Sequence, residues 1–181
     1  QPHYQVYLLN GIVACDVCGR KLRAQGASSG DYYREESRGR GFTDCPVAGR
    51  GVRAEEIDRQ VGDIVRGLQL PDDWRARLQD MIVENESGET LSSRRAPVDL
   101  AATERAADVI EELQSAWDDA DKETRRDLLR LALREVSVDV LQGRVTAVEP
   151  HPAFIPLFRE TTKLREARFG VFHPMWTVAQ M

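Results

Sequence analysis

No apolar run in this 181-residue sequence approaches the roughly 18 residues that a membrane-spanning helix needs. The N-terminus also lacks the basic and apolar regions of a secretory signal peptide. The chain starts with Gln1, and we interpret this start as the cut end of a longer protein. A composition of 41% hydrophobic and 30% charged residues is typical of a soluble globular protein, so we expect no membrane partner.

Cysteine is scarce as well. The sequence has three, an odd number that does not fit the disulfide framework of a small secreted protein, so we expect a reducing, cytoplasmic environment. Histidine is equally rare, and His3, His151 and His173 are far apart along the chain. No serine has a histidine and a carboxylate at a recognisable catalytic spacing, and we therefore predict no catalytic residues in this chain.

The few cysteines nevertheless form a pattern. Cys15 and Cys18 are separated by two residues and followed by Gly19, which is the arrangement of a zinc knuckle. In such a knuckle two thiolates reach one tetrahedral ion from a tight turn, and glycine supplies the backbone freedom that the turn needs. Redox proteins share the Cys-x-x-Cys spacing, but no βαβ pattern surrounds this one, which argues against a thioredoxin-like role.

A hairpin is predicted directly after the knuckle. Residues 22–25 and 31–34 have the character of strands, and the small, flexible residues 26–30 between them favour a turn. Cys45 lies beyond the hairpin, where the second half of a metal site belongs. This order predicts a zinc β-ribbon in which a fourth cysteine is missing.

These segments carry a family resemblance. The sequence from Leu9 to Arg23 resembles the recombinase zinc β-ribbon of large serine recombinases, the integrases of phages and mobile elements. Further segments are similar to later parts of the same domain, and the resemblance extends from about Tyr7 to about Phe158. These segments are Tyr32-Tyr33-Arg34 and Cys45-Pro46 in the ribbon, Lys122 to Leu131 in the last long helix, and Val136 to Asp139 and Val145 to Pro150 in the closing strands.

The resemblance implies one structural Zn²⁺ and places Glu35 at the family's third cysteine position. The implied metal ligands are Cys15, Cys18, Glu35 and Cys45. A carboxylate oxygen binds zinc at about 2.0–2.2 Å, so a site with three thiolates and one glutamate is chemically possible. Glu36, Asp44 or a water could also be the fourth ligand. A hairpin that folds by side-chain packing alone, without metal, is the remaining alternative.

The ribbon is basic although the whole chain is not. The net charge of the chain is −5, but residues 20–53 contain eight basic and four acidic residues, a local charge of +4 that leaves −9 on the remainder. Arginine can read guanine and glutamine can read adenine in the major groove, and both can also hold phosphates. We therefore predict that the ribbon binds double-stranded DNA. The candidate DNA-binding residues are Arg20, Lys21, Arg23, Gln25, Arg34, Arg38 and Arg40.

One alternative remains for this ribbon. It could be a solvated basic surface without a ligand, since charge runs often are. Tyr32 and Tyr33 lie on opposite faces of their strand, so one of them should pack inward while the other is free for the DNA backbone.

Helical periodicity follows the ribbon. A first helix begins near Arg53 and carries an apolar stripe, and a second begins at Pro71 with Trp74 and Leu78 facing inward. The stripe of the first helix consists of Ile57, Val61, Ile64, Val65 and Leu68. Asp99 is predicted to cap a third helix that runs to about Trp117, and Asp121 to cap a fourth. The expected apolar seam of the fourth helix is Leu128, Leu131, Ala132 and Val136.

The pattern then changes to period two. Val136, Val138 and Val140 alternate with polar residues, Gln142-Gly143 predicts a turn, and Val145 to Val148 returns as a second strand. We predict a loop from Glu84 to Pro97, and an end to regular structure at Pro150, Pro152 and Pro156.

The predicted fold class is α+β, with a zinc β-ribbon, a small helical body of about four helices and a C-terminal β-hairpin. We divide the chain into a DNA-binding ribbon over 1–53, a helical body with the closing hairpin over 54–158, and a tail over 159–181.

The resemblance implies a DNA-binding C-terminal fragment of a site-specific serine integrase, encoded by a bacterium or a phage, that recognises an attachment site. In that family the serine nucleophile lies in an N-terminal domain that this chain lacks. The family's long coiled-coil arm is expected to be absent, because residues 83–97 are too few and have no heptad pattern. We therefore expect a monomer. The alternative function is a protein-interaction module whose helices bind a partner and whose ribbon is a structural staple.

Overall fold

A computed structural model describes residues 5–36, 39, 41, 44–87 and 99–161 of the chain. Two three-stranded sheets and five helices make up this part, which confirms the α+β class. The strands are β1 (Val13–Cys15), β2 (Arg23–Ala27), β3 (Gly30–Arg34), β4 (Gly51–Arg53), β5 (Leu133–Asp139) and β6 (Arg144–Pro150). The helices are α1 (Ala54–Arg66), α2 (Trp74–Ser87), α3 (Leu100–Ala116), α4 (Lys122–Ala132) and α5, which is described over 155–161.

The first sheet consists of β2, β3 and β4 in that order, all antiparallel. It confirms the predicted hairpin, although both strands are longer than predicted and only Ser28 and Ser29 form the turn. The third strand, β4, lies immediately before α1, and it pairs Val52 with Tyr33. We call this three-stranded unit the ribbon sheet.

The second sheet joins the start of the chain to its closing hairpin. Its order is β1-β5-β6, with β1 parallel to β5 and β5 antiparallel to β6. The predicted β5–β6 hairpin is confirmed, and Gly143 in its turn has φ +66°, a left-handed conformation that favours glycine. Cys15, the last residue of β1, pairs with Val138 of β5. Because β1 is an edge strand, the predicted metal-binding turn that follows it lies at the edge of this sheet.

The helices follow most of the local sequence signals. All five residues of the apolar stripe predicted for α1 are buried, but only four lie on the helix, because it ends at Arg66 and Leu68 follows it. Both predicted N-caps are also confirmed. Oδ1 of Asp99 accepts a hydrogen bond from the N–H of Ala102 at 3.0 Å, and Oδ1 of Asp121 accepts one from the N–H of Thr124 at 2.7 Å.

Two helix predictions are wrong in detail. Helix α2 continues to Ser87, four residues into the predicted loop, because residues 84–87 contain no helix breaker. Residues 88–97 of that loop lie outside the described part. Helix α4 ends at Ala132, with Leu128 and Leu129 buried and Leu131 58% exposed. Val136 belongs to β5 rather than to the helical seam, because the alternating valines there favour a strand.

The prolines near the end of the chain do not end regular structure. Pro152 begins a 3₁₀ turn (Pro152–Phe154), and α5 follows directly over 155–161. Pro152 and Pro156 lie in the first turns of these helical segments, where a missing N–H loses no hydrogen bond. Leu157 and Phe158 are fully buried, and the boundary predicted at residue 158 falls inside α5. Residues 162–181 of the predicted tail lie outside the described part.

A single cluster of buried side chains extends from Leu8 to Phe158. It includes Leu22, Tyr33 and Val52 of the ribbon together with the inner faces of the helices. The division of the chain at residue 53 therefore stays a prediction. No helix in the described part of the chain combines the length and the apolar character needed to cross a membrane.

Candidate metal centre and basic sheet face

The first turn that carries candidate metal ligands consists of residues 15–20 and follows β1. We call it the first ligand-bearing turn. The N–H of Gly19 donates to the carbonyl of Cys15 at 2.8 Å, and the N–H of Cys15 donates to the carbonyl of Arg20 at 2.9 Å. Gly19 has φ +68°, so the turn requires a residue that adopts the left-handed conformation without strain. This local geometry follows directly from the Cys-x-x-Cys-Gly sequence.

The second ligand-bearing turn begins at Cys45. The N–H of Ala48 donates to the carbonyl of Cys45 at 3.0 Å, and Gly49 has φ +78°. The segment 45–49 thus repeats the spacing of the first turn, with Ala48 at the position that Cys18 occupies there. Each turn therefore places its first cysteine at the start of a glycine-closed bend.

The three cysteines converge. The Sγ atoms of Cys15, Cys18 and Cys45 all lie within 4.8 Å of one another. In a tetrahedral zinc site with Zn–S bonds of about 2.3 Å, the sulfur atoms are about 3.8 Å apart. Cys15 and Cys45 are buried, Cys18 is partly exposed, and none of the three forms a disulfide. Small side-chain adjustments would close this cluster on one ion, so the three cysteines could hold a metal.

Burial dominates the electrostatics of the thiols. It raises the pKa of Cys15 to about 11, against the opposing effect of backbone N–H groups of Cys18 and Val17 that are directed at the sulfur. Burial also raises the pKa of Cys45, against the N–H of Val47. In the absence of a cation these thiols keep their protons at neutral pH, whereas the N–H donors suit thiolates bound to a metal.

Glu35, the predicted fourth ligand, lies beside this cluster but is not a member of it. Its side chain is 1% exposed, and its Oε1 lies 3.9 Å from Sγ of Cys18. Its Oε2 accepts a hydrogen bond from the N–H of Gly49 at 3.4 Å. The carboxylate therefore contacts one residue of each ligand-bearing turn, Cys18 and Gly49.

The ribbon sheet has two different faces. Residues directly opposite each other in antiparallel strands share a face, so the register assigns every side chain. Tyr33 and Val52 face the core and are 0% and 6% exposed, which confirms that one of the two adjacent tyrosines packs inward. The opposite face carries Arg23, Gln25, Tyr32, Arg34 and Arg53. We call this surface the basic sheet face.

Arg53 belongs to the basic sheet face although sequence reasoning did not include it among the DNA-binding candidates. Its guanidinium lies above the ring of Tyr32, 5.5 Å from the centroid, and its Nη1 donates to the carbonyl of Ser29 at 3.0 Å. The sequence places Arg53 at the start of a helix, and only the pairing of β4 with β3 shows that it lies opposite Tyr32. A short Gly-Val-Arg strand was the one signal that could have indicated it.

The structure separates the predicted DNA-binding residues. Arg23, Gln25 and Arg34 lie together on the basic sheet face, where Arg23 approaches Oε1 of Glu36 at 3.3 Å. Lys21 lies outside this face and pairs with Glu135 of β5 at 2.8 Å. Arg20 also lies outside it, two residues after Cys18 of the cysteine cluster, with Nη2 2.5 Å from Oδ2 of Asp44. Arg38 and Arg40 lie outside the described residues.

A cleft of about 1080 Å³ lies between the β2–β3 turn, α1 and residues 117–125. Its charged side chains include ion-paired cations: Lys122 approaches Asp58 at 3.6 Å, and Arg66 approaches Asp118 at 2.8 Å. The three cysteines are not among the described residues that line it. The candidate chemistry of the molecule therefore lies in the cysteine cluster and on the basic sheet face.

The cysteine cluster and the basic sheet face are adjacent, because β2 and β3 of the ribbon sheet connect the two ligand-bearing turns along the chain. The resemblance to large serine recombinases rests on the sequence segments given above. Comparison of the chain with protein-family models, with curated proteins and with solved structures finds no match.

Proposed function

We propose that this chain is a DNA-binding module in which a zinc centre holds the ribbon and the basic sheet face contacts the duplex. The observation that carries the proposal is the register of the ribbon sheet. It places three arginines, one glutamine and one tyrosine on the outer face while the inner face packs in the core. Arginine and glutamine provide both phosphate contacts and base recognition, which suits a nucleic acid better than an apolar protein partner.

Zinc is the metal that the ligand set supports best. Three thiolates form a soft site that favours zinc over magnesium or calcium, whose ligands are oxygens. Structural zinc sites are closed by a fourth ligand, and carboxylates are accepted in that role. Glu35 is our proposed fourth ligand, because its buried carboxylate lies beside Cys18. When bound, the ion would fix the two turns relative to each other and so hold both ends of the ribbon sheet.

The proposed DNA contacts are the exposed and partly exposed side chains of the basic sheet face. Arg23 and Gln25 lie on β2, opposite Arg34 and Tyr32 on β3, and Arg53 extends the surface to β4. Tyr32 is partly exposed, with its hydroxyl 3.1 Å from Oγ of Ser29, and it can add a contact to the DNA backbone. Compared with the surface predicted from the sequence, the proposed surface excludes the two basic residues that precede β2 and includes one additional arginine on β4.

We further propose that the parent protein is a site-specific serine integrase and that the bound DNA is its attachment site. Support for this step comes from the resemblance of the cysteine motif, of Tyr32-Tyr33-Arg34 and of the later segments to that family. Strand exchange would then belong to a domain outside this chain. We also propose that the chain is a monomer, and light scattering at tens of micromolar tests that proposal.

The test is the salt dependence of DNA binding. Each phosphate that the protein neutralises lowers the slope of log K against log salt by about 0.9 for duplex DNA. Replacing Arg23, Arg34 and Arg53 together with alanine should weaken binding to random and cognate duplexes. It should also flatten the slope by about 0.9 for each phosphate that the variant no longer neutralises.

The matched control replaces three arginines on other elements, Arg105, Arg126 and Arg134, and it should keep the wild-type slope. Equal slopes for the wild-type chain and the basic-face variant would contradict the proposal. A wild-type affinity that does not change with salt would favour the protein-interaction alternative, because apolar association is insensitive to screening.

A further inference from the structure

We propose that Arg20 and Asp44 are positioning residues of the metal centre, where their ion pair clamps the two ligand-bearing turns together. The sequence grouped Arg20 with the DNA-binding residues because it is basic and lies in the ribbon. Its surroundings assign it a different role. This inference rests on the proposed zinc centre, but it does not depend on DNA binding.

The positions of the two residues in the chain support the clamp. Arg20 comes two residues after Cys18, and Asp44 immediately precedes Cys45. The bond between Nη2 of Arg20 and Oδ2 of Asp44 is 2.5 Å long and spans 24 residues of sequence. It therefore ties the end of the first ligand-bearing turn directly to the start of the second.

The backbone of Arg20 belongs to the same turn. Its carbonyl accepts the hydrogen bond from the N–H of Cys15, so any displacement of Arg20 also displaces the first ligand. The side chain is about one-third exposed, whereas Asp44 is two-thirds exposed, and Nη1 of Arg20 is buried. One edge of the guanidinium thus contacts Asp44, and the other edge is buried in the protein.

Compensation of charge is a second argument for the clamp. Three thiolates and one carboxylate around a divalent cation leave an excess of two negative charges. The guanidinium of an arginine is always cationic in proteins, and Arg20 follows Cys18 by two residues. Arg20 would therefore offset part of the negative charge of the ligands. Outer-sphere groups of this kind orient ligands and tune the affinity of a metal site.

The experiment measures how fast zinc leaves the protein. The wild-type chain and the variants Arg20→Ala, Asp44→Ala and the double variant are loaded with Zn²⁺, and transfer to an excess of a chromogenic chelator is followed. Loss of an outer-sphere partner typically lowers metal affinity about 10–100-fold. We expect each single variant to release zinc about tenfold faster or more. The double variant should release it no faster than the faster single variant, because both substitutions break one pair.

Two further variants make the test specific. Arg59→Ala is the matched control, since Arg59 is also an arginine with carboxylate partners, Glu56 and Asp63, but it lies on α1. It should release zinc at the wild-type rate. Arg20→Lys keeps the charge without the planar fork and should fall between the wild type and Arg20→Ala, including if the alanine variant fails to fold.

The outcomes separate this inference from the proposed function. Wild-type release rates in Asp44→Ala and Arg20→Lys, or independent effects that multiply in the double variant, would overturn the clamp and leave the zinc centre intact. A wild-type chain that binds no zinc would overturn the zinc centre itself. At saturating zinc, Arg20→Ala should keep the wild-type salt slope for DNA binding, and a flattened slope would return Arg20 to the DNA-binding surface.

Discussion

The hydroxyl of Tyr33 donates a hydrogen bond of 2.7 Å to Oδ1 of Asp58 and accepts one of 3.0 Å from the N–H of Leu9. Tyr33 is fully buried on β3, and Asp58 belongs to α1. Lys122 at the start of α4 lies 3.6 Å from Oδ2 of the same carboxylate. This network connects the ribbon sheet to two helices of the body. Burial and the charge of Asp58 both raise the pKa of Tyr33, so its hydroxyl remains a donor.

Removing this hydroxyl should destabilise the fold. Tyr33→Phe leaves the N–H of Leu9 and the carboxylate of Asp58 without a buried partner, and an unsatisfied buried group costs about 1–3 kcal/mol. The free energy of unfolding from urea titrations measures the loss. Tyr32→Phe is the matched control, because that hydroxyl lies at the surface near Ser29 and its removal should cost less than about 0.5 kcal/mol. Equal stability of the two variants would contradict the structural role of the network.

The carboxyl group of Asp58 makes stability depend on pH. Burial raises its pKa above 3.8 more strongly than the hydrogen bond from Tyr33 and the charge of Lys122 lower it, while Asp31 adds to the increase. A carboxyl whose pKa is higher in the folded state binds its proton more tightly there. Its contribution is therefore fully present below pH 3.8 and is lost as the pH rises through the folded-state pKa.

Asp58→Asn tests this sign. The amide keeps an acceptor for Tyr33 but cannot ionise. The stability of the wild type relative to this variant should therefore fall as the pH rises from 3.8 through the folded-state pKa, and urea titrations across that range measure it. Gln142→Asn is the control, because it exchanges one exposed amide for another and neither side chain ionises; it should show no such trend. A wild-type chain that gains stability relative to Asp58→Asn with rising pH would show that the ion pair with Lys122 outweighs burial.

The sequence predicted the features that short-range signals encode. The hairpin of the ribbon follows from two strand-like runs around Ser28 and Ser29, and the helix starts follow from the caps at Asp99 and Asp121. The first ligand-bearing turn follows from Cys-x-x-Cys-Gly, because its hydrogen bonds close within six residues. Each of these elements is determined by its own residues, so periodicity and turn chemistry suffice to find it.

Long-range pairing could not be predicted in the same way. The parallel pairing of β1 with β5 joins Val13 to Val136, and no local pattern specifies that partner. The place of Arg53 depends on the register between β3 and β4, and the pairing of Arg20 with Asp44 depends on how the two turns meet. The prediction from charge alone therefore placed Arg20 in the same DNA-binding set as Arg23 and Arg34, although the fold separates them.

Gln60 provides a connection of this long-range kind, and its loss should weaken the closing hairpin. Its Nε2 donates to the carbonyl of Gly143 at 2.8 Å, and its Oε1 accepts from the N–H of Val145 at 2.9 Å. Gln60→Leu removes both bonds, together with the hydrogen bond that Nε2 donates to Oε1 of Glu56 at 3.0 Å. We expect a loss of about 1–3 kcal/mol in the free energy of unfolding. The control Gln142→Leu changes an exposed residue of the hairpin turn. Hydrogen exchange should show faster opening at Val145 in Gln60→Leu only, and unchanged exchange would contradict the connection.

The fourth metal ligand can be tested at Glu35. If its carboxylate binds zinc, Glu35→Cys should tighten binding, because a fourth thiolate suits the ion better, and Glu35→Gln should weaken it. Competition with a chelator measures both affinities, and metal analysis should give one zinc per chain. Glu36→Gln is the neighbouring control, since Glu36 approaches Arg23 instead. Unchanged affinity in both Glu35 variants would assign the fourth position to another group.

Two substitutions of Arg53 distinguish the effect of its charge on DNA binding from the effect of its stacking on Tyr32. Arg53→Ala should weaken duplex binding and flatten the salt slope by about 0.9, because the variant neutralises one phosphate fewer. Arg53→Lys should keep the slope but bind less tightly than the wild type, since lysine cannot place a planar guanidinium over Tyr32. Fluorescence anisotropy at several salt concentrations measures both quantities. The control is Arg59→Ala, further along α1, where the guanidinium pairs with Glu56 and Asp63. Its slope should equal that of the wild type. Wild-type slopes and affinities in both Arg53 variants would exclude β4 from the DNA-binding surface. The remaining side chains of that surface would then be Arg23, Gln25, Tyr32 and Arg34.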